Sequence, residues 1–151
     1  MKLNPYLNYG GQCAEAFRFY EKHLGGKIVM MMKHDENPGP HDNIPPEMLK
    51  GVLHARLDLG GAEVMGADVP GSQPMRSAYL SLSLDTDAEA DRVYKLLSDG
   101  GEVFMPMQST FFASRFGMVR DRFGTSWMVL HERPMAEGGP REHEAARVRR
   151  H

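Results

Sequence analysis

Hydrophobic and polar positions along this chain switch repeatedly between two periods. Residues 3-9 read as a strand that Pro5 confines to a sheet edge or a strand beginning. Cys13, Ala16, Phe17, Tyr20 and Leu24 then fall on one face of a helix. Gly25-Gly26 closes that helix as a left-handed cap would, and Lys27 to Met32 returns to a strand. From Gly51 to Leu59 the alternation is clean. Leu53, Ala55, Leu57 and Leu59 share one face, and Val52, His54, Arg56 and Asp58 share the other. Gly60-Gly61 marks a hairpin, residues 62-69 form its return strand, and residues 70-74 read as a linker.

The same order of elements then recurs. Residues 77-84 alternate as a strand, with Leu80, Leu82 and Leu84 opposite Tyr79, Ser81 and Ser83. Thr86 to Glu89 has the spacing of a capping box, and Ala90, Val93, Tyr94 and Leu97 give the following helix its buried stripe. Gly100-Gly101 ends it, residues 102-107 form a strand, and a loop carries Phe111-Phe112. Residues 115-121 and 126-132 form a last hairpin about Phe123-Gly124. The recurrence is literal in places. Glu15-Ala16-Phe17-Arg18-Phe19-Tyr20 lies opposite Glu89-Ala90-Asp91-Arg92-Val93-Tyr94, with the two tyrosines 74 residues apart. Gly25 and Gly100 are 75 apart, and Met65 and Met128 are 63 apart. The fall in spacing places an insertion in the first copy. Residues 34-50, with four prolines and many polar groups, are that insertion. A loop this long in a compact domain is expected to act as a flap over a site or to touch a partner subunit. Its His34, Asp35, His41 and Asp42 match no strong metal motif, and solvated side chains are expected there.

The chain therefore reads as α+β, a duplicated βαβββ module. A single domain is expected over residues 1-133, made of modules 1-70 and 76-133, with a polar appendage from 134 to 151. At 151 residues the length suits two intimate half-domains. The net charge of -2 gives no electrostatic case for nucleic acid. No apolar run approaches a membrane span. The N-terminus reads straight into a strand without a signal peptide, and Cys13 is the only cysteine. A cytoplasmic location is expected. Twelve methionines are many for this length, and their flexible thioethers suit either an adaptable cavity or core filling.

The duplicated pattern resembles the vicinal oxygen chelate superfamily, which includes glyoxalase I, extradiol dioxygenases, and bleomycin and fosfomycin resistance proteins. Asn4-Pro5-Tyr6-Leu7, Ala16 to Tyr20, and Arg115 to Trp127 resemble its PhnB-like branch, often labelled 3-demethylubiquinone methyltransferase-like. The resemblance implies two modules curling a mixed sheet into a cup, a small-molecule ligand inside it, and a homodimer. It also implies four metal-ligating positions, which map onto Pro5, Tyr79, Met65 and Met128. None of these is His, Asp or Glu, so neither a metal nor another cofactor is expected.

Candidate chemistry follows from the alternation. If Met65, Tyr79 and Met128 face the ligand, so do Ser81 and the set His54, Arg56 and Arg115, pairing the modules at a spacing of 63. His54 is the candidate for acid-base work, or else a hydrogen-bonded sheet histidine. Arg56 and Arg115 could grip an anion, or pair with Asp58 or Asp121. Tyr79 could donate to a ligand oxygen, or serve as a core ring. Phe111 and Phe112 could stack on a ligand, or anchor their loop. Trp127 alternates to the other side and is expected to pack on a helix. Three functions remain open: metal-independent small-molecule binding, a metal-dependent lyase, isomerase or dioxygenase with relocated ligands, and drug sequestration without catalysis. No strand-glycine-helix nucleotide site supports methyl transfer.

Overall fold

In the computed structural model the described residues are 1-134, so the expected C-terminal appendage lies outside them beyond Pro134. The chain forms two compact units, Met1–Pro74 and a second from Met75 onward. The first contains β1 (Tyr6–Tyr9), α1 (Cys13–Leu24), β2 (Lys27–Lys33), β3 (Val52–Asp58) and β4 (Glu63–Asp68). Its sheet has the order β1-β4-β3-β2. β1 runs parallel to β4, and the other pairs are antiparallel. The second contains β5 (Leu80–Ser83), α2 (Asp87–Ser98), β6 (Glu102–Gln108), β7 (Ala113–Arg120) and β8 (Ser126–Glu132). Its order, β5-β8-β7-β6, repeats the first, with β5 parallel to β8. The expected βαβββ duplication is thus present. The first strand is shorter than residues 3-9, because β1 starts only after Pro5.

Each helix covers one face of its own sheet. Cys13, Ala16, Phe17 and Tyr20 of α1 are fully buried, against Ala55 and Leu57 of the sheet. Burial of side chains the size of Phe17 contributes about 2 kcal/mol each. The backbone must come close to admit these rings. A Cβ on Gly66 would lie 2.8 Å from the Phe17 ring and 2.9 Å from the Leu7 carbonyl oxygen. In the second unit Gly117 does the same for Tyr94 of α2, with Val119, Trp127 and Val129 buried on that side. Trp127 is where alternation put it, with Nε1 donating to Asp121 at 2.8 Å.

The two helices start differently. Thr86 caps α2 by accepting the Glu89 amide at 3.1 Å, as the sequence predicts. The return half of the capping box is absent, because Glu89 instead pairs with Arg92. For α1 the cap comes from another strand. Asp68, buried at the end of β4, accepts the amides of Gly11 at 2.7 Å and Cys13 at 3.0 Å through Oδ1. Its Oδ2 accepts Val52 at 2.8 Å. A carboxylate at a helix N-terminus also meets the favourable end of the helix dipole. Burial, and then the neighbouring Asp68 charge, push the Cys13 thiol up to about 12, so it is unreactive in the folded chain.

The insertion is closed at its base. His34 and Asp35 donate their amides to Gly51 at 2.9 Å and Leu49 at 3.0 Å. Lys50 pairs with Asp35 at 2.9 Å. His34 was expected in solvent; it is buried instead, with its Nε2 bonded to the Asp68 carbonyl oxygen at 2.8 Å. Opening is therefore expected only at the tip. Hydrogen exchange should find the His34 and Asp35 amides protected like the sheet and residues 37-44 fast. Uniformly fast exchange from 34 to 51 would contradict the closed base.

Candidate functional site

The side of each sheet away from its helix carries most of the residues that alternation selects. In the first unit a row across the strands reads Tyr6, Met65, Arg56, Met30, each the register partner of the next. Met32 lies opposite His54 one step along. Leu7, Tyr9, Ala55 and Leu57 occupy the buried face, which leaves Tyr6, His54 and Arg56 on the open one.

Tyr6 and His54 form a pair. Their rings stack at 5.7 Å with an interplanar angle of 21°, and the phenol oxygen lies 3.1 Å from Nδ1. Partial burial, and secondarily the Cys13 charge, raise the Tyr6 phenol above its ordinary value, so it keeps its proton. This contact fixes the imidazole ring through Nδ1 and leaves Nε2 as the ring nitrogen outside it. Arg56 uses Nε to bind Glu63 across the β3–β4 hairpin, not Asp58 or Asp121, and its terminal nitrogens remain as further donors. Tyr6 escaped the sequence reading, although the alternation of Tyr6 and Asn8 against Leu7 and Tyr9 carries the signal.

In the second unit the matching row reads Ser81, Met128, Met118, Met105. Beside it Ala113, Phe116 and Leu130 form an apolar cluster with Phe112 packed against it. Phe112 stacks edge-on against Phe116 at 5.2 Å, whereas Phe111 is exposed and touches only the Phe112 edge of this group, at 5.3 Å. Tyr79 meets Phe104 edge-on at 6.2 Å, and the Arg120 guanidinium lies over the same Phe104 ring.

Arg115 lies elsewhere. It is on the helix side, with Nε on Asp91 at 3.0 Å and a terminal nitrogen 3.5 Å from Asp87. Hydrogen bonds from Ser114 and then His131 hold the Asp87 carboxyl below its ordinary value, so the group is a clamp on the start of α2. The cause of the misplacement is one residue. Asp58 pairs with Glu63 across the first hairpin, but Arg120 pairs with Ser126 across the second, whose turn is one longer. β3 and β7 therefore correspond at a spacing of 62, not 63. The counterpart of Arg115 is Leu53, a helix-side residue, and the counterpart of Arg56 is Met118. The opening strands correspond at 75, which makes Tyr6 and Ser81 the partners of Met65 and Met128, in place of Pro5 and Tyr79.

The Glyoxalase/Bleomycin resistance protein/Dioxygenase superfamily model matches residues 2–129. The chain belongs to this superfamily. The protein YjdN of Escherichia coli (strain K12) is 30% identical over 138 residues, covering 85% of this chain and 94% of that one. Protein PA1353 from Pseudomonas aeruginosa has a structure similar at a TM-score of 0.78 and 38% identity, covering 89% of this chain and 99% of its own. The PhnB protein from Bacillus cereus is similar at a TM-score of 0.72 and 29% identity, covering 87% and 99%. The PhnB-like resemblance read from the sequence therefore stands. The superfamily's divalent metal does not fit the residues present. Its implied positions on the first and last strands hold Tyr6 and Met65, and Ser81 and Met128. Hydroxyls and thioethers are poor ligands for Zn, Ni or Fe(II). Among the described residues no group of three or more His, Cys, Asp and Glu could hold a metal ion. No described helix is long and apolar enough to cross a membrane.

Proposed function

We propose that this superfamily member binds a small oxygen-rich or anionic organic molecule on the open face of the first sheet. One observation carries the reading: the His54 imidazole, held by Tyr6, and the Arg56 guanidinium are neighbours beside the thioethers of Met30, Met32 and Met65. A guanidinium fixes an anionic group, an imidazole hydrogen-bonds a ligand oxygen or hydroxyl, and flexible methionines adapt to an apolar remainder. Binding needs no metal in this arrangement. After tag-free purification and dialysis, plasma mass spectrometry is expected to find far less than one Zn, Ni, Mn or Fe per chain. A stoichiometric ion that resists dialysis would show that ligands are supplied from elsewhere.

The direct test starts from a mass-spectrometric survey of compounds that co-purify with the protein. Calorimetry with such a compound should show binding weakened at least tenfold by Arg56→Ala and by His54→Ala, and less by Tyr6→Phe. If both alanine variants bind like the unsubstituted chain, the open face of the first sheet is not the site.

A further inference from the structure

The second unit repeats the binding row of the first with one change of charge. Tyr6, Met65, Arg56 and Met30 correspond to Ser81, Met128, Met118 and Met105. Where the first row has a guanidinium between two methionines, the second has a third methionine. Met105 faces Met118, and Met118 faces Met128, on three neighbouring strands. Directly opposed residues share a face and stand about 5 Å apart at Cα. All three pack beside the Ala113, Phe116 and Leu130 cluster, and all three are only half-buried. A methionine side chain has three rotatable bonds, enough to turn three such sulfurs toward one point from a row this short.

We propose that Met105, Met118 and Met128 form a binding site for a soft monovalent cation, Cu(I) in its reduced state. Three neutral thioethers match a soft, singly charged ion and discriminate against Zn, Mg or Mn, which seek imidazole, carboxylate or water. The neighbouring Ala113, Phe116, Leu130 and Phe112 make the surroundings apolar and supply no competing oxygen or nitrogen side-chain ligand. The first unit cannot build the same site, because Arg56 puts a fixed positive charge in the middle of the row. The site is independent of the ligand reading for the first sheet.

The test is anaerobic competition for Cu(I) between the protein and bicinchoninate, with Ag(I) as a redox-inert probe read by NMR of methyl-labelled methionine. The expected result is one equivalent of Cu(I) taken from the chelator, with Ag(I) shifting the methyl signals of these three methionines together. Met118→Leu keeps volume and apolarity, so the fold is expected to survive. It should weaken Cu(I) binding at least tenfold, and Met118→Arg, which copies the first unit, should abolish it. Met48→Leu, in the insertion, should leave it unchanged. The proposal is overturned if the chelator keeps the copper. It is equally overturned if Met105→Leu, Met118→Leu and Met128→Leu each leave binding as it was, since the metal is then held elsewhere.

Discussion

Asp68→Ala is expected to lower the melting temperature by about 10 °C, a loss on the order of 4 kcal/mol. The carboxylate accepts three backbone amides, from Gly11, Cys13 and Val52, at a place only 1% exposed. Alanine strands all three donors in the interior, where each unmet group costs about 1–3 kcal/mol. It also removes a negative charge from the start of α1, leaving Glu15 as the acidic residue of the first turn. Asp68→Asn keeps an acceptor oxygen and should lose less. Cys13 supplies a second readout: its thiol should resist alkylation in the folded chain at pH 8 and label faster in the alanine variant. A variant that melts within 2 °C of the parent would mean that the carboxylate is not what joins β1, α1, β3 and β4.

Gly66→Ala is the second large effect, expected to cost about 3 kcal/mol. The added methyl meets the Leu7 carbonyl oxygen at 2.9 Å as well as the Phe17 ring at 2.8 Å, and a backbone oxygen in a paired strand has nowhere to go. Phe17→Leu in the same chain should recover only part of the loss. The contrast is Gly117→Ala, expected to cost about 1 kcal/mol. There the closest atoms belong to the half-buried ring of Tyr94, at 2.9 and 3.0 Å, and the nearest backbone oxygen, of Met105, is at 3.4 Å. Chemical denaturation of the three variants decides the matter. Equal losses at 66 and 117 would contradict the distinction between a backbone obstacle and a side-chain one.

Elements marked by strong periodicity or by glycine were legible in the sequence. The α1 stripe from Cys13 to Tyr20 needed only the helical period, and Gly25, with φ 72°, is the left-handed cap its position implied. The faces of β3 followed from the period of two, because Ala55 and Leu57 had to be inside. Correspondence between the two halves was less legible, since it depends on turn length. One residue more between Arg120 and Ser126 reverses which side of the sheet Arg115 occupies, and no propensity reveals that. Asp68 was invisible for a different reason. Its partners at Gly11, Cys13 and Val52 are far away along the chain, and a lone aspartate at a strand end looks like any exposed one. Tyr6 is legible from the alternation of β1, and the register that sets it, not Pro5, opposite Met65 is fixed only by the pairing of β1 with β4.

The closed base of the insertion separates its length from the stability of the sheet. The chain leaves β2 and re-enters β3 through a neck where Asp35 and Leu49 are joined by a hydrogen bond of 3.0 Å. Lengthening a tip whose ends are already fixed costs little, roughly 0.6 kcal/mol for each doubling. Residues 37-45 are thus an exchangeable cassette: they can be shortened, replaced or used to carry a foreign peptide while the register of β2 on β3 stays as it is.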